Sequence, residues 1–450
     1  MKSRLVLILL AAALFLTGCA DRSVPESPMV QAIASAVYPE MPPYPDGTIT
    51  ENRQEVHDIW NEARKALRNQ PEGYDDGLDG YCKTVIRTFL ADTAAENRVF
   101  SPLSLYSALA ITAETAGGES RYQILSLLGC KDVEELRWKA KGVWESNYVN
   151  DGASKSILAN SLWLNRSIRY NEATLNTLAA DYYASSFSGE MGSEVYNKAL
   201  RGWLNDQTGG LLADSTESEG MRKETVMSLV SAVDFSAKWM IEFHEDETQA
   251  GVFHGAAGYE EAKFMKFTEL DDTYYWADDF AAYYKELENV GGVWFVLPDE
   301  GTSVDDVLAG EDFYRLIEPG TRGYRSTWEN KVFIKINIAI PKFRIQSDLD
   351  LRDGLASLGV TDVFSPEKAD FSPLTIDFEE PVWLDQAKQS VAVEMDEEGV
   401  AAAAYTMMSY YGAPLPPEDV VDFICDRPFI FVVIGNDGFP MFTGVVNSVN

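Results

Sequence analysis

Between Val391 and Phe431 the chain runs VAVEMDEEGVAAAAYTMMSYYGAPLPPEDVVDFICDRPFIF, and few architectures accommodate that order of residue types. Val391-Ala392-Val393-Glu394-Met395 alternates enough for a strand. Glu397, Glu398 and Gly399 follow, then Val400 and the four alanines Ala401, Ala402, Ala403 and Ala404. Alanine propensity alone predicts a helix there. The flanks oppose it: Gly399 interrupts regular structure, and Gly412, Pro414, Pro416 and Pro417 mark an exposed, extended segment. Pro428–Val433 then reads as a buried strand. A strand, a glycine hinge, compact residues, an exposed loop and a second strand suit a loop able to enter an existing sheet. Small side chains pass between strands at little steric cost.

This stretch resembles the reactive-centre loop of a serpin, a family that serves as a standard example of loop insertion into a sheet. Similar wording recurs in collinear order along the chain. A helix is expected over Tyr81–Ala95, with Val85, Ile86, Phe89 and Leu90 on one face. Asn97–Leu105 then leads into a helical run, Ser104–Ala116, ended by Gly117 and Gly118. The resemblance places Ser101 and Ser104 beneath the central sheet where it must open, although two helix-capping serines read the same way locally. Ile157–Leu164 has strand length, Tyr170–Tyr183 reads as helix, and Leu200–Leu211 matches a family helix ending in Trp203, Thr208 and Gly210. Thr225–Phe235 reads as a buried strand, and Trp239 resembles the family's tryptophan at the top of the main sheet. Val332–Ile340 alternates as a strand, and Leu349–Leu358 as an amphipathic helix stopped by Gly359. Ala369–Ser372 and Pro440–Asn447 are further family wording.

The resemblance implies an α+β serpin fold with a mixed main β-sheet, further sheets, about eight to nine helices and an exposed reactive-centre loop. It also exposes departures. The family usually has Asn where Arg201 and Ser231 stand, His where Gln389 stands, and Gly where Ala237 stands. The positions of Ser231 and Gln389 form a polar clasp under the opening sheet, and a Ser–Gln pair retains the capacity to hydrogen-bond.

Residues 1–18 read as an export signal, with Lys2 and Arg4 before an apolar run, Leu5–Leu16, too short to span a membrane. Leu16-Thr17-Gly18-Cys19 resembles the bacterial lipobox, which implies cleavage before Cys19 and lipidation of its thiol. Acyl chains contribute roughly 0.8 kcal/mol per buried CH2, so the exported protein would be anchored to the bacterial cell surface or outer envelope. Residues 19–73, with Pro25, Pro28, Pro39, Pro42, Pro43 and Pro45, suggest an extended tether that includes a polar helix over Glu55–Arg68. The serpin-like domain then occupies 74–450. Beyond Cys19, the cysteines Cys82, Cys130 and Cys425 lack a framework spacing and read as small buried thiols. The formal net charge of −34 argues against nucleic acid and against a heparin-type polyanion, and suits solubility at a cell surface.

An enzyme reading finds little support. The histidines are His57, His244 and His254, none set in a glycine-framed or strand-end context. There is no nucleophile elbow, phosphate loop, dinucleotide fingerprint or metal-ligand pattern, and no cofactor is expected. Inhibitory serpins bait a serine protease, form an acyl-enzyme and insert the cut loop as a new strand before deacylation; the driving force is a native state held above its most stable fold. The expected partner is therefore a target serine protease, held in a covalent complex by a monomer. The hinge here, Glu397 to Ala404, carries no bulky, charged or proline residue after Gly399. Alternation turns Val400, Ala402 and Ala404 inward on insertion. Counting from Gly399 by family spacing puts the reactive bond between Ala413 and Pro414. Counting back from Pro428 gives Pro417, so the loop is longer than usual. Proline after a cut is poorly accepted, which keeps the bonds after Tyr411, Tyr410 and Met408 as alternatives. Ala413 suggests an elastase-like target and the tyrosines a chymotrypsin-like one; no Arg or Lys lies between Gly399 and Asp426. The alternatives are a non-inhibitory surface binding protein of serpin fold, or an inhibitor of a cysteine protease.

Overall fold

The structure is a computed structural model that describes residues 30–45, 52–93, 95–211, 220–322, 326–400 and 419–449. Its helices are α1 Arg53–Arg68, α2 Leu78–Leu90, α3 Pro102–Thr115, α4 Gly118–Leu127, α5 Val133–Asn147, α6 Glu172–Asp181 and α7 Glu194–Asp206. Three short ones follow: α8 Val304–Ala309, α9 Glu311–Ile317 and α10 Arg352–Ser357. The strands begin with β1 Val30–Ala34, β2 Arg98–Phe100, β3 Val149–Asn150, β4 Lys155–Asn165, β5 Arg169–Tyr170, β6 Ala184–Gly189 and β7 Met227–Lys238. They continue with β8 Gln249–Gly255, β9 Gly258–Trp276, β10 Phe280–Glu286, β11 Gly292–Pro298, β12 Lys331–Pro341 and β13 Phe343–Asp350. The last are β14 Thr375–Ile376, β15 Lys388–Met395, β16 Gly399–Val400, β17 Val420–Ile424, β18 Phe429–Ile434 and β19 Pro440–Val446.

The main sheet has the order β1-β6-β4-β7-β16-β15-β13, with β3 paired to β4. It is mixed: β4 runs parallel to β6 and antiparallel to β7, and β13 runs antiparallel to β15. A second sheet runs β17-β12-β9-β10-β11-β18-β19-β2, with β8 on β9. The core lies between the sheets and around α3, whose apolar residues face β7 and β19. Residues on both faces of β18 and β19 are buried, which explains their near-continuous apolar sequences. Across the α3 end, Phe235 of β7 meets Phe442 of β19 edge-on at 5.7 Å.

Several boundaries differ from the local pattern. The helix expected from Ser104 starts at Pro102, because the Ser101 hydroxyl caps it and proline suits the first turn. The helix expected over Tyr170–Tyr183 gives Tyr170 to strand β5 and begins at Glu172, where Asn171 caps it. Leu349 and Asp350 are strand rather than helix, because they pair with Gln389 and Lys388 of β15. That long-range ladder outweighs the local helical period, and α10 starts only at Arg352.

Residues 30–45 and 52–68, part of the stretch expected to act as a tether, pack on the body. β1 adds an edge to β6, antiparallel, and the Ala36 amide donates to the Ser185 hydroxyl at 3.1 Å. Tyr38 stands against Trp144, Tyr148 and Tyr183 at ring separations of 5.1, 5.9 and 6.2 Å. Helix α1 is held through Trp60, which is 4% exposed and donates its indole N–H to Asp151, after β3, at 3.2 Å. Cys82, Cys130 and Cys425 are buried free thiols, as expected, and burial raises all three thiol pKa values.

Candidate functional site

The site is the upper part of the main sheet, between β7 and β15. At Met395 strand β15 ends in a tight turn. Asp396 organises it: its carboxylate accepts from the amides of Glu398 at 3.0 Å and Gly399 at 3.2 Å, and its own amide donates to the Gly399 carbonyl at 3.1 Å. The chain then re-enters the sheet as β16. Gly399 pairs with Lys238 and Val400 with Ala237 on β7, while Val400 also pairs with Met395 on β15. Val400 is 2% exposed. Burying a valine from water contributes about 1.5–3 kcal/mol. The glycine is required by space: a Cβ on Gly399 would lie 2.1 Å from the Ala237 carbonyl oxygen. Residues Ala401, Ala402, Ala403 and Ala404, and the reactive-bond candidates Met408, Tyr410, Tyr411, Ala413 and Pro414, lie outside the described residues, as does Cys19.

Below β16, among the described residues, no ladder joins β7 directly to β15. A narrow cleft of about 20 Å³ separates them, lined by Ser231, Ala232 and Val233 of β7, Ser390, Val391 and Ala392 of β15, and Thr208 and Leu211 beyond α7. Each flanking strand thus offers part of a free hydrogen-bonding edge to a strand placed between them.

Trp239 and Phe243 hold the turn from above. The Trp239 amide donates to the Glu398 carbonyl at 3.0 Å, and its indole N–H donates to the Asp396 carbonyl at 2.9 Å. The Phe243 amide donates to the Glu397 carbonyl at 3.1 Å. The Glu397 side chain is buried, bonded to the Lys342 ammonium and accepting from the Thr248 hydroxyl at 2.8 Å. Burial pushes the Glu397 carboxyl up, but the Lys342, backbone and Thr248 bonds outweigh it and hold it below the usual glutamate value. Burial likewise pulls Lys342 down, and Glu397 more than compensates.

Under the cleft, Ser101 caps α3, its hydroxyl accepting from the Ser104 amide at 3.3 Å. The Ser231 hydroxyl lies 3.1 Å from that of Ser104 and 2.7 Å from the Asn160 carboxamide oxygen. Gln389 does not close onto Ser231 as the Ser–Gln clasp required. Its side-chain oxygen accepts from the Ser101 amide at 2.8 Å and its NH2 donates to the Ser101 carbonyl at 3.0 Å. Glutamine has a donor and an acceptor spaced to satisfy one backbone residue, and takes that bidentate option instead. Each strand is therefore pinned to α3 separately, and among the described residues no hydrogen bond joins Ser231 to Gln389. Lys342, Thr248 and Asn160 were not singled out from the sequence. Lys342 stands in the Pro341-Lys342-Phe343 step after an alternating strand, and only its meeting with Glu397 gives it a role. Among the described residues no group of His, Cys, Asp and Glu could hold a metal ion.

The family model for Serpin (serine protease inhibitor) matches residues 78–449. This chain belongs to the serpin family. It is similar to the alpha-1-antiproteinase of Callosciurus caniceps, at 26% identity over 375 residues, covering 80% of this chain and 85% of that protein. It is also similar to the leukocyte elastase inhibitor of Homo sapiens, at 26% identity over 366 residues, covering 79% of this chain and 93% of that serpin. Among solved structures, the thermophilic serpin tengpin in its native state superposes with a TM-score of 0.72, at 26% identity, over 84% of this chain and 95% of that one.

Proposed function

We propose that this serpin is a single-use inhibitor of serine proteases that traps the acyl-enzyme by drawing its cleaved loop into the main sheet. The observation that carries this reading is the seat of Val400. The first inward-facing hinge residue is buried between β7 and β15, and the cleft continues below it with parted strand edges. Insertion has to outrun hydrolysis of the acyl-enzyme, and a hinge already in register shortens the path. The residues that would follow Val400 into the cleft are alanines, so no bulky side chain opposes them. Ala413 as the residue before the cut favours an elastase-like protease, and Tyr411, Tyr410 or Met408 a chymotrypsin-like one. In this reading Cys19 carries the lipid that holds the inhibitor at the outer face of a bacterial envelope, and the protein acts as a monomer.

The test is incubation of the chain from residue 20 onward with pancreatic elastase and with chymotrypsin, followed by a denaturing gel and the mass of the released C-terminal peptide. A complex that survives denaturation is expected, and the peptide mass then assigns the reactive bond. Cleavage without a complex would favour the non-inhibitory binding protein, or a cysteine protease as the target. Anchoring is tested separately by lipid incorporation into the full chain and its loss in Cys19→Ser.

A further inference from the structure

Lys285 lies in β10 with its side chain turned inward, and the residue is 4% exposed. Its Nζ stands 4.6 Å from the ring centre of Phe243, 5.0 Å from that of Phe267 and 5.8 Å from that of Trp239. Phe243 meets Trp239 edge-on at 5.9 Å and Phe267 at 6.4 Å, so the ammonium occupies a cage walled by three aromatic rings. A desolvated ammonium is held by such faces more strongly than an exposed one.

The charged groups around the cage come from three elements. Glu269 and Asp272 of β9 act directly on Lys285; burial raises both carboxyls, and Lys285 partly opposes that. On β10 itself, Tyr283 hydrogen-bonds Asp272, and Glu286 adds negative charge beside it. At the end of β7, Lys238 is paired with Glu242 at 3.2 Å. Burial pushes the Lys285 ammonium down to about 8, against the pull of Glu269 and Asp272.

Two walls of the cage, Trp239 and Phe243, are the residues from which the hinge turn hangs through the carbonyls of Asp396, Glu397 and Glu398. We propose that Lys285 is a positioning residue for loop entry: its ammonium fixes the Trp239 and Phe243 rings and, through them, keeps Gly399 and Val400 seated between β7 and β15. This rests on the inhibitor reading. A neutral amine has no charge for the ring faces or the two carboxylates to attract. Loss of the proton therefore relaxes the cage and loosens the turn. Insertion then starts later, and more acyl-enzyme hydrolyses before it is trapped.

The variants are Lys285→Arg, which keeps a charge that does not titrate in this range, and Lys285→Met, which keeps only the stem. Two readouts are taken on either side of pH 8, on the chain from residue 20 onward. One is hydrogen exchange at the Trp239 and Phe243 amides. The other is the partition of elastase and of chymotrypsin between trapped complex and cleaved inhibitor. Comparing variants at one pH cancels the protease's own titration and the intrinsic exchange rate. For the wild type, protection of the two amides is expected to fall, and the cleaved share to rise several-fold, as pH passes through 8. Lys285→Arg should stay flat, and Lys285→Met should show the high-pH behaviour throughout. Wild type and Lys285→Arg titrating alike would overturn the role, as would Lys285→Met matching wild type below pH 8. Should Lys285→Met not fold, wild type against Lys285→Arg still decides. If wild type forms no complex with either protease, the inhibitor reading falls on its own. The exchange data then judge the anchoring independently, and equal protection in wild type and Lys285→Arg at every pH refutes it.

Discussion

Val400 is in register with Ala237 of β7 and with Met395 of β15, so the residue after the hinge glycine stands inside the main sheet. The slot is apolar and closed, with Val400 2% exposed. Val400→Glu would place a carboxylate there with no partner, at a cost of several kcal/mol. The hinge is expected to leave the slot instead. Each 1.4 kcal/mol is worth about tenfold in an equilibrium, so the inserted end should be populated at least tenfold less. The expected result is a protein that folds and is cut normally but forms little gel-stable complex. A Val400→Glu variant that traps protease as well as wild type would show that this residue need not enter the sheet.

Gly399→Ala tests the same step by shape rather than charge. A Cβ there meets the Ala237 carbonyl oxygen at 2.1 Å and the Lys238 Cα at 2.7 Å, both backbone atoms at the end of β7. Moving either shifts the β7 edge on which β16 pairs. The variant should lose protection from exchange at the Trp239 amide while its melting temperature shifts little, because β16 is only two residues long. Unchanged protection would mean that the turn can shift to admit a methyl group.

Gln389→Leu should destabilise the intact protein by about 1–3 kcal/mol, because it leaves the buried Ser101 amide without its acceptor, while the Ser101 carbonyl keeps the Leu105 amide. Ser231→Ala should cost about 1–3 kcal/mol, since it takes a hydroxyl partner from the buried Asn160 carboxamide oxygen and from the Ser104 hydroxyl. A double-mutant cycle followed by denaturant unfolding should show the two effects adding to within about 0.5 kcal/mol. A coupling above about 1 kcal/mol would indicate that Ser231 and Gln389 work as one clasp after all.

Gly399 was legible because it depends on residue type at a single place, a glycine where no Cβ fits. Ser101 was legible for the same reason, as a cap directly before a proline. What escaped depends on partners far along the chain. Glu397 and Lys342 are 55 positions apart, and nothing near either residue announces their bond. Leu349 has a convincing helical period with its successors, yet its ladder partner Gln389 keeps it extended. Residues 30–68 carry prolines and charge, which read as a tether, while the anchors Tyr38 and Trp60 are single aromatic residues whose sockets are made elsewhere. The Ser231 and Gln389 substitutions were visible, but their new partners follow only from the geometry around α3.

The Lys342–Glu397 pair makes a signed pH prediction. The folded carboxyl of Glu397 titrates below its unfolded value, so its contribution is present above about pH 4.3 and is lost as pH falls through the lower folded pKa. The folded Lys342 titrates above its unfolded value, so its contribution is complete below about pH 10.4 and is lost only above that. Glu397→Gln should therefore lower stability by about 1–3 kcal/mol at neutral pH and remove part of the acid-side fall. Parallel wild-type and Glu397→Gln stability curves between pH 3 and 7 would refute the assignment.

The N-terminal segment gives the last prediction. Trp60 is 4% exposed, bonds Asp151, meets the Tyr44 ring edge-on at 5.1 Å and lies beneath the Arg64 guanidinium at 4.5 Å. Asp151 in turn accepts the Tyr44 amide at 2.7 Å, and Arg68 reaches the Asn436 side chain at 2.6 Å. Trp60 thus ties 30–45 and α1 to the turn between β3 and β4, and Arg68 ties α1 to the turn before β19. Trp60→Ala should cost about 3–5 kcal/mol. A chain begun at residue 74 should melt lower than one begun at residue 20 and should bind a hydrophobic dye, because the surfaces of Trp144, Tyr148 and Tyr183 under Tyr38 become uncovered. Equal melting of the two chains, with no dye binding, would mean that the segment rests on the domain without stabilising it.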